Sequence, residues 1–217
     1  MVRESVVKYL AIGDSLTVGY GSSYHQGGFV PVYKSFAEQA LNTRVRTMNI
    51  GVDGFTAKQI YGVVRSQSPN SIAEANLITI TGGGNDLLGV LQGGINSVTP
   101  ALMDHAIKDA IYYLQQTVGY ITKIKKQTNV PYRIFVFNSY NPLGSIPIAN
   151  RFISEFNRAL QSITRYPNVQ VVDVYRVFKG NERALLYRRD HVHPNDKGYR
   201  LMAEEAAKKG FMLKSVN

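Results

Sequence analysis

Apolar positions along the chain follow two alternating rhythms. Five short runs are nearly continuous and rich in β-branched and aromatic residues: Val6–Ile12, Val45–Ile50, Ala75–Thr81, Tyr132–Phe137 and Val169–Val174. Runs of that length bounded by glycine, asparagine or aspartate predict buried strands. Between them the spacing changes to three and four. Phe29, Val32, Phe36 and Ala40 predict a helix over 29–41. Thr56 is placed to cap a helix over 57–64, and Pro100 opens the longest helix, to about Lys126. Its stripe includes Leu102, Ile107, Ile111, Leu114, Val118 and Ile121, the pattern of a core-facing side. Asn150–Ile163 predicts a further helix, and Asn195 or Asp196 caps a last one to about Lys209. Residues 20–28, Ser68-Pro69-Asn70 and Asn141–Gly144 have loop or turn composition.

Strands that alternate with helices imply a parallel sheet covered on both faces. The expected fold class is α/β, a three-layer α/β/α sandwich with a five-stranded parallel sheet. Right-handed crossovers leave few topologies, and a flavodoxin-like strand order is favoured. The chain shows no repeat, low-complexity stretch or linker, so one domain over residues 1–217 is expected.

Composition narrows the chemistry. The 217 residues contain no cysteine, which excludes disulfides, thiolate metal sites and a cysteine nucleophile. The net charge of +10 invites a polyanion-binding reading. The basic residues are scattered, however, with only short dense spots at Lys123, Lys125, Lys126 and at Arg188, Arg189. A solvated cationic surface with weak attraction to anionic surfaces is expected, without a specific nucleic-acid partner. No apolar run is long enough to span a membrane. Met1–Ser5 lead directly toward the first strand, and no signal peptide is visible. The expected location is cytoplasmic, or secreted with a leader removed.

In an open parallel sheet, the loops after the strands' carboxyl ends gather on one edge. Three of these loops are glycine-rich: Gly13-Asp14-Ser15, Gly51–Gly54 and Gly82–Asp86. Ser15 is either a helix N-cap or a nucleophile, since serine suits both places. Around its hydroxyl, its own N–H, a free N–H near Gly51 and the Asn85 amide are expected as oxyanion donors. A serine nucleophile needs a base, and the histidines are His25, His105, His191 and His193. His105 lies in the long helix beside Asp104 as a surface residue. His25 sits in a loop. In Asp190-His191-Val192-His193, a turn lets Asp190 orient the His193 ring from three residues away. His191 adjoins Asp190 and is expected to point elsewhere. The same segment could instead bind a metal or simply lead into the last helix. No HExxH, G-x-S-x-G, P-loop or complete G-x-G-x-x-G is present.

Gly13-Asp14-Ser15-Leu16 resembles the first block of the SGNH (GDSL-type) ester hydrolases. Asn49-Ile50-Gly51, Gly83-Gly84-Asn85-Asp86 and Asp190-His191-Val192-His193 are similar to its other blocks, in the family's order. The stretches GDSLTVGYG and GGGNDLLG look most like the Bacillus-type lipase/acylhydrolase branch. The resemblance implies an SGNH hydrolase fold and a serine ester hydrolase acting on carboxylic esters through an acyl-enzyme. It implies Ser15, Asp190 and His193 as the catalytic triad, and Ser15, Gly51 and Asn85 as the oxyanion hole. No cofactor or metal is implied. The expected partner is a small-molecule acyl ester or lipid substrate, and the likeness to the Bacillus-type branch, with its spore-germination lipases, adds a spore-associated location to those expected.

The acyl and alcohol groups are open at this level. Leu87, Leu88, Val90, Leu91 and Pro142, Leu143, Ile146, Pro147, Ile148 are either an acyl groove or ordinary core. A carbohydrate deacetylase or thioesterase is the alternative on the same site. A basic polyanion-binding module with an inactive site is the distant one.

Overall fold

The computed structural model describes residues 6–91, 94, 98–144 and 146–213. The reading of Met1–Ser5 as a direct lead into the first strand lies outside them. The strands are β1 (Val7–Ile12), β2 (Val45–Asn49), β3 (Leu77–Ile80), β4 (Arg133–Phe137) and β5 (Val169–Val172). They form one parallel sheet in the order β2-β1-β3-β4-β5, the flavodoxin-like order expected. The register pairs Ala11 with both Asn49 and Thr79, so the carboxyl ends of the first three strands share one edge. The chain leaves β1 toward β2 on one side and enters β3 on the other. The crevice at that reversal is where such sheets bind ligands.

Side-chain alternation along the strands divides the core. Leu10, Ile12, Ile78, Ile80, Ile134 and Val136 face one way. They pack under helices α3 (Ala57–Ser66), α6 (Pro100–Lys125) and α7 (Pro147–Leu160). Tyr9, Ala11, Leu77, Phe135, Phe137 and Val172 face the other way, under α2 (Phe29–Leu41) and α10 (Asp196–Ala207). This is the expected three-layer sandwich. No helix among the described residues is long and apolar enough to cross a membrane.

Departures from the expected elements have local causes. Ser68-Pro69-Asn70 begins the short helix α4 (Pro69–Ala73) rather than a turn. Proline at the first helical position lacks only an N–H that would be unpaired anyway. For the same reason α7 begins at Pro147, ahead of Asn150. Three further helices are short: α5 (Gly84–Val90), α8 (Val174–Phe178) and α9 (Glu182–Leu185). Fewer than two full turns leave little periodicity to read. Leu102, placed on the buried stripe of α6, is 54% exposed, and Met103 takes the inward position.

Candidate active site

The β1 strand ends in a turn that only glycine can make. Gly13 has φ +149°, and a Cβ there would lie 2.2 Å from Thr81 Oγ1. Asp14 then caps the one-turn helix α1 (Ser15–Val18), its Oδ1 accepting the Leu16 N–H at 3.1 Å. The cap is therefore Asp14, and Ser15 is the first helical residue. An N–H at that position has no partner within the helix and points out of its positive end. Ser15 is itself buried.

The histidine arrives on the loop before α10. Tyr187 N–H donates to His193 O at 2.7 Å, beside a Leu186–Pro194 bridge, which folds residues 187–193 back on themselves. Asp190 Oδ1 accepts the Val192 and His193 N–H groups at 2.9 and 3.1 Å. This leaves Oδ2 facing His193 Nδ1 at 2.7 Å. The opposite ring nitrogen, Nε2, lies 2.9 Å from Ser15 Oγ. Tyr140 OH donates to Val192 O at 2.7 Å and ties the loop to the end of β4. The Tyr20 ring lies 4.6 Å from the His193 ring, and the Tyr20 carbonyl is held by Tyr199 OH at 2.6 Å.

Two carboxylates here are shifted in opposite directions. Partial burial pushes Asp190 up, but the two amides and the His193 ring outweigh it, leaving its pKa below the usual range. Asp14 is buried, and loss of water raises its pKa despite its hydrogen bonds and the nearby His193.

The β2–α3 loop differs from expectation. The Gly51 N–H is not free: it donates to Asn49 Oδ1 at 2.9 Å. Asn49 Nδ2 in turn donates to Thr17 O at 2.9 Å, fastening the loop to α1. Further along, Gly54 takes φ +75°, and a Cβ there would touch nothing within 4 Å. Asn85, in the first turn of α5, donates through Nδ2 to Phe55 O at 2.9 Å, next to Gly54. Asp86 Oδ2 accepts the Ala57 N–H at 2.9 Å, holding the start of α3. The Asn85-Asp86 pair thus clamps the whole loop. One Nδ2 hydrogen of Asn85 is left for another acceptor.

The remaining histidines fall elsewhere. His191 has φ +55°, a left-handed conformation. It is exposed. His105 is a surface residue of α6, as expected, and pairs there with Asp109 at 3.2 Å. His25 sits against the exposed Tyr24. Among the described residues, no three His, Asp or Glu side chains cluster as a metal site would need.

From Ser15 and His193 an apolar cleft of about 820 Å³, counting space open to solvent, runs between α5, α6 and α7. Its walls include Leu87, Leu91, Met103, Leu143, Phe152 and Ile153. Leu88, Pro142 and Ile148 also line it, whereas Val90, Ile146 and Pro147 do not. Sequence reasoning missed Met103, Phe152 and Ile153, because a pocket wall on an amphipathic helix looks like its core face. It also missed the Tyr20 ring on His193 and the Asn49 bracket, for which adjacent glycines gave no signal.

The family model for GDSL-like lipase/acylhydrolase matches residues 9–206. The chain is 34% identical over 210 residues to the spore germination lipase LipC of Bacillus licheniformis, covering 94% of this chain and 97% of that protein. The crystal structure of a lipase from a goat rumen metagenome superposes with a TM-score of 0.89 at 34% identity, covering 94% of this chain and 98% of that one. An acetylxylan esterase from Geobacillus stearothermophilus shares the fold, with a TM-score of 0.72 at 19% identity and 98% coverage of each chain. The chain belongs to the GDSL-like lipase/acylhydrolase family of carboxylic ester hydrolases.

Proposed function

We propose that this ester hydrolase acts on esters of medium or longer acyl chains, through an acyl-enzyme on Ser15. The observation that carries the reading is the pair of short contacts, Ser15 Oγ to His193 Nε2 at 2.9 Å and His193 Nδ1 to Asp190 Oδ2 at 2.7 Å, at the mouth of an apolar cleft. Ser15 Oγ attacks the ester carbonyl while His193 Nε2 takes its proton. Asp190 fixes the ring tautomer and balances the imidazolium charge. The imidazolium then protonates the departing alcohol. Water, activated by the same ring, splits the acyl-enzyme to acid and free serine.

The negative oxygen of each tetrahedral intermediate is held by the Ser15 N–H and the spare Asn85 hydrogen. We assign the third donor to Gly54 N–H, not Gly51, because Asn49 already holds the Gly51 hydrogen while Gly54 adjoins the Asn85 contact. In a crystal structure with a phosphonate bound at Ser15, the phosphonyl oxygen should lie within hydrogen-bond reach of Gly54 N. A contact to Gly51 N instead would reverse this assignment.

Substrate class follows from the cleft's apolar walls. Burying each methylene is worth about 0.8 kcal/mol, roughly fourfold in kcat/KM while the chain still fits. A p-nitrophenyl ester series should therefore rise steeply from acetyl toward octanoyl. A series that peaks at acetyl would favour a deacetylase instead. Ser15→Ala should abolish turnover of every member, and substantial residual activity would remove Ser15 as nucleophile.

A further inference from the structure

Beneath the nucleophile lies a short row of buried oxygen atoms whose protons can be counted. Thr81 Oγ1, just beyond the end of β3, is 2.7 Å from Asp14 Oδ1. It is also 2.9 Å from Thr17 Oγ1. Thr17 Oγ1 in turn is 3.0 Å from the carbonyl of Ile12, the last residue of β1. All three side chains are buried. The row therefore contains three close oxygen–oxygen contacts. Each requires one proton, because two oxygens at such distances without a hydrogen between them repel.

The two threonine hydroxyls supply two protons, and the Ile12 carbonyl supplies none. The backbone does not make up the difference. The Asp14 N–H donates to Thr81 Oγ1 at 3.3 Å and the Leu16 N–H to Asp14 Oδ1 at 3.1 Å, and both are additional demands on lone pairs. An ionised Asp14 leaves one contact without a proton. A neutral Asp14 completes the row: the carboxyl O–H donates to Thr81, Thr81 donates to Thr17, and Thr17 donates to Ile12 O. In that arrangement Thr81 accepts two hydrogens and donates one, the full capacity of a hydroxyl.

We propose that Asp14 is held as the neutral carboxylic acid at neutral pH, as a positioning residue for Ser15. Its surroundings agree. Burial raises its pKa. The charged or titratable groups that face it are His193, the one group that favours ionisation, and Asp86, Tyr140 and Tyr199, which sense its charge as unfavourable. The consequence for the reaction rests on Ser15 being the nucleophile. The Ser15 N–H then meets a developing oxyanion next to a neutral side chain, with no fixed negative charge one residue away. The same acid caps α1 and, through the two threonines, ties that helix to β1 and β3. The position of the Ser15 amide is thereby set by the sheet.

The direct test is a carbon-13 NMR titration of the enzyme labelled at aspartate carboxyl carbons, with the Asp14 signal assigned by its loss in Asp14→Asn. A neutral acid gives the chemical shift of a protonated carboxyl at pH 7. The shift of a carboxylate at pH 7 would overturn the proposal. This readout needs no activity, so it stands or falls apart from the role of Ser15. The kinetic test compares two variants. Asp14 Oδ1 makes both the Thr81 and the Leu16 contact, so an asparagine Nδ2 in its place keeps the donation to Thr81 but gives up the bond from Leu16 N–H, whereas alanine keeps neither. Asp14→Asn should therefore keep kcat about fivefold higher than Asp14→Ala, the scale of one retained buried hydrogen bond. Equal losses in the two variants would count against the neutral acid. Should Asp14→Ala fail to fold, the titration of the unmodified enzyme still decides.

Discussion

Two aspartates sense the charge of the same imidazole, one in direct contact and one through space, and the protein treats them in opposite ways. Asp190 lies on a loop that turns two backbone N–H groups onto one of its oxygens and a histidine ring onto the other. Every neighbour is a donor, so the charged form is favoured. Asp14 lies under the sheet edge, and the two threonine hydroxyls that continue its contacts must themselves donate onward. Its neighbours run short of protons, and burial adds to the disfavour of charge. The residue type is the same in both places. The ratio of donors to acceptors around it decides whether it serves as a counter-charge or as a neutral hydrogen-bonding group.

Several measurements would break or sharpen that contrast. The largest effect is expected from Asp190→Asn. It leaves the loop geometry available but lets His193 take the wrong tautomer, and kcat should fall by about 10⁴-fold. A loss under tenfold in steady-state assays would show that Asp190 is not a counter-charge. Asn85→Ala removes one proposed oxyanion donor, and also the bond to Phe55 O that steadies the β2–α3 loop. Its kcat should fall by about 10²–10³-fold, with KM changed far less.

Next in size is the dependence of stability on pH, where the two aspartates should differ in sign. The folded pKa of Asp190 is lowered, so its contribution is full above the unfolded value and is lost as pH falls toward the folded one. The stability gap between the wild type and Asp190→Asn should thus narrow in acid. The folded pKa of Asp14 is raised, so its cost is absent in acid and appears as pH rises through the unfolded value. Asp14→Asn should therefore gain on the wild type as pH rises. Melting temperatures of the three proteins across the acid range check both signs, and parallel curves would contradict the contrast.

The smallest effect concerns a buried cation at the opposite edge of the sheet. Lys125 Nζ donates to Ala73 O and Ala75 O, each at 2.7 Å, and burial lowers its pKa to about 8. Between about pH 8 and its ordinary value the unfolded chain binds more protons than the folded one, so stability rises with pH. Lys125→Met should remove that rise, at the cost of two unpaired carbonyls. Denaturant midpoints at pH 8 and 9.5 are the measurement, and an unchanged slope in the variant would show that Lys125 titrates normally.

Much of this molecule was readable from residue order, for reasons that differ by element. The strands were legible because runs such as Leu-Ile-Thr-Ile are buried on both faces, which leaves little room for polar residues. The α6 helix was legible because it is long enough to repeat its stripe many times. The short helices α4, α5, α8 and α9 were not, since their ends are set by caps and tertiary packing. In the site, Ser15, Asp190 and His193 were legible because each sits beside a glycine turn or within a local hydrogen-bonding spacing. The proposed oxyanion donor from the β2–α3 loop was not. Gly51 and Gly54 look alike in sequence, and only the Asn49 side chain, which holds one amide and leaves the other, separates them. The neutral Asp14 was hidden for a similar reason. Thr17 and Thr81 are far apart in sequence, and the proton count appears only once β1 and β3 are side by side.

The account turns on a single reactive oxygen, and one measurement reaches it directly. The wild-type enzyme is treated with a long-chain alkyl fluorophosphonate until activity is lost, and the adduct is mapped by peptide mass spectrometry. One phosphonyl group per chain on Ser15, formed in step with inactivation and absent from His193→Ala, is the predicted result. Complete inactivation with Ser15 unlabelled, or full labelling of Ser15 in an enzyme that still turns over, would contradict it.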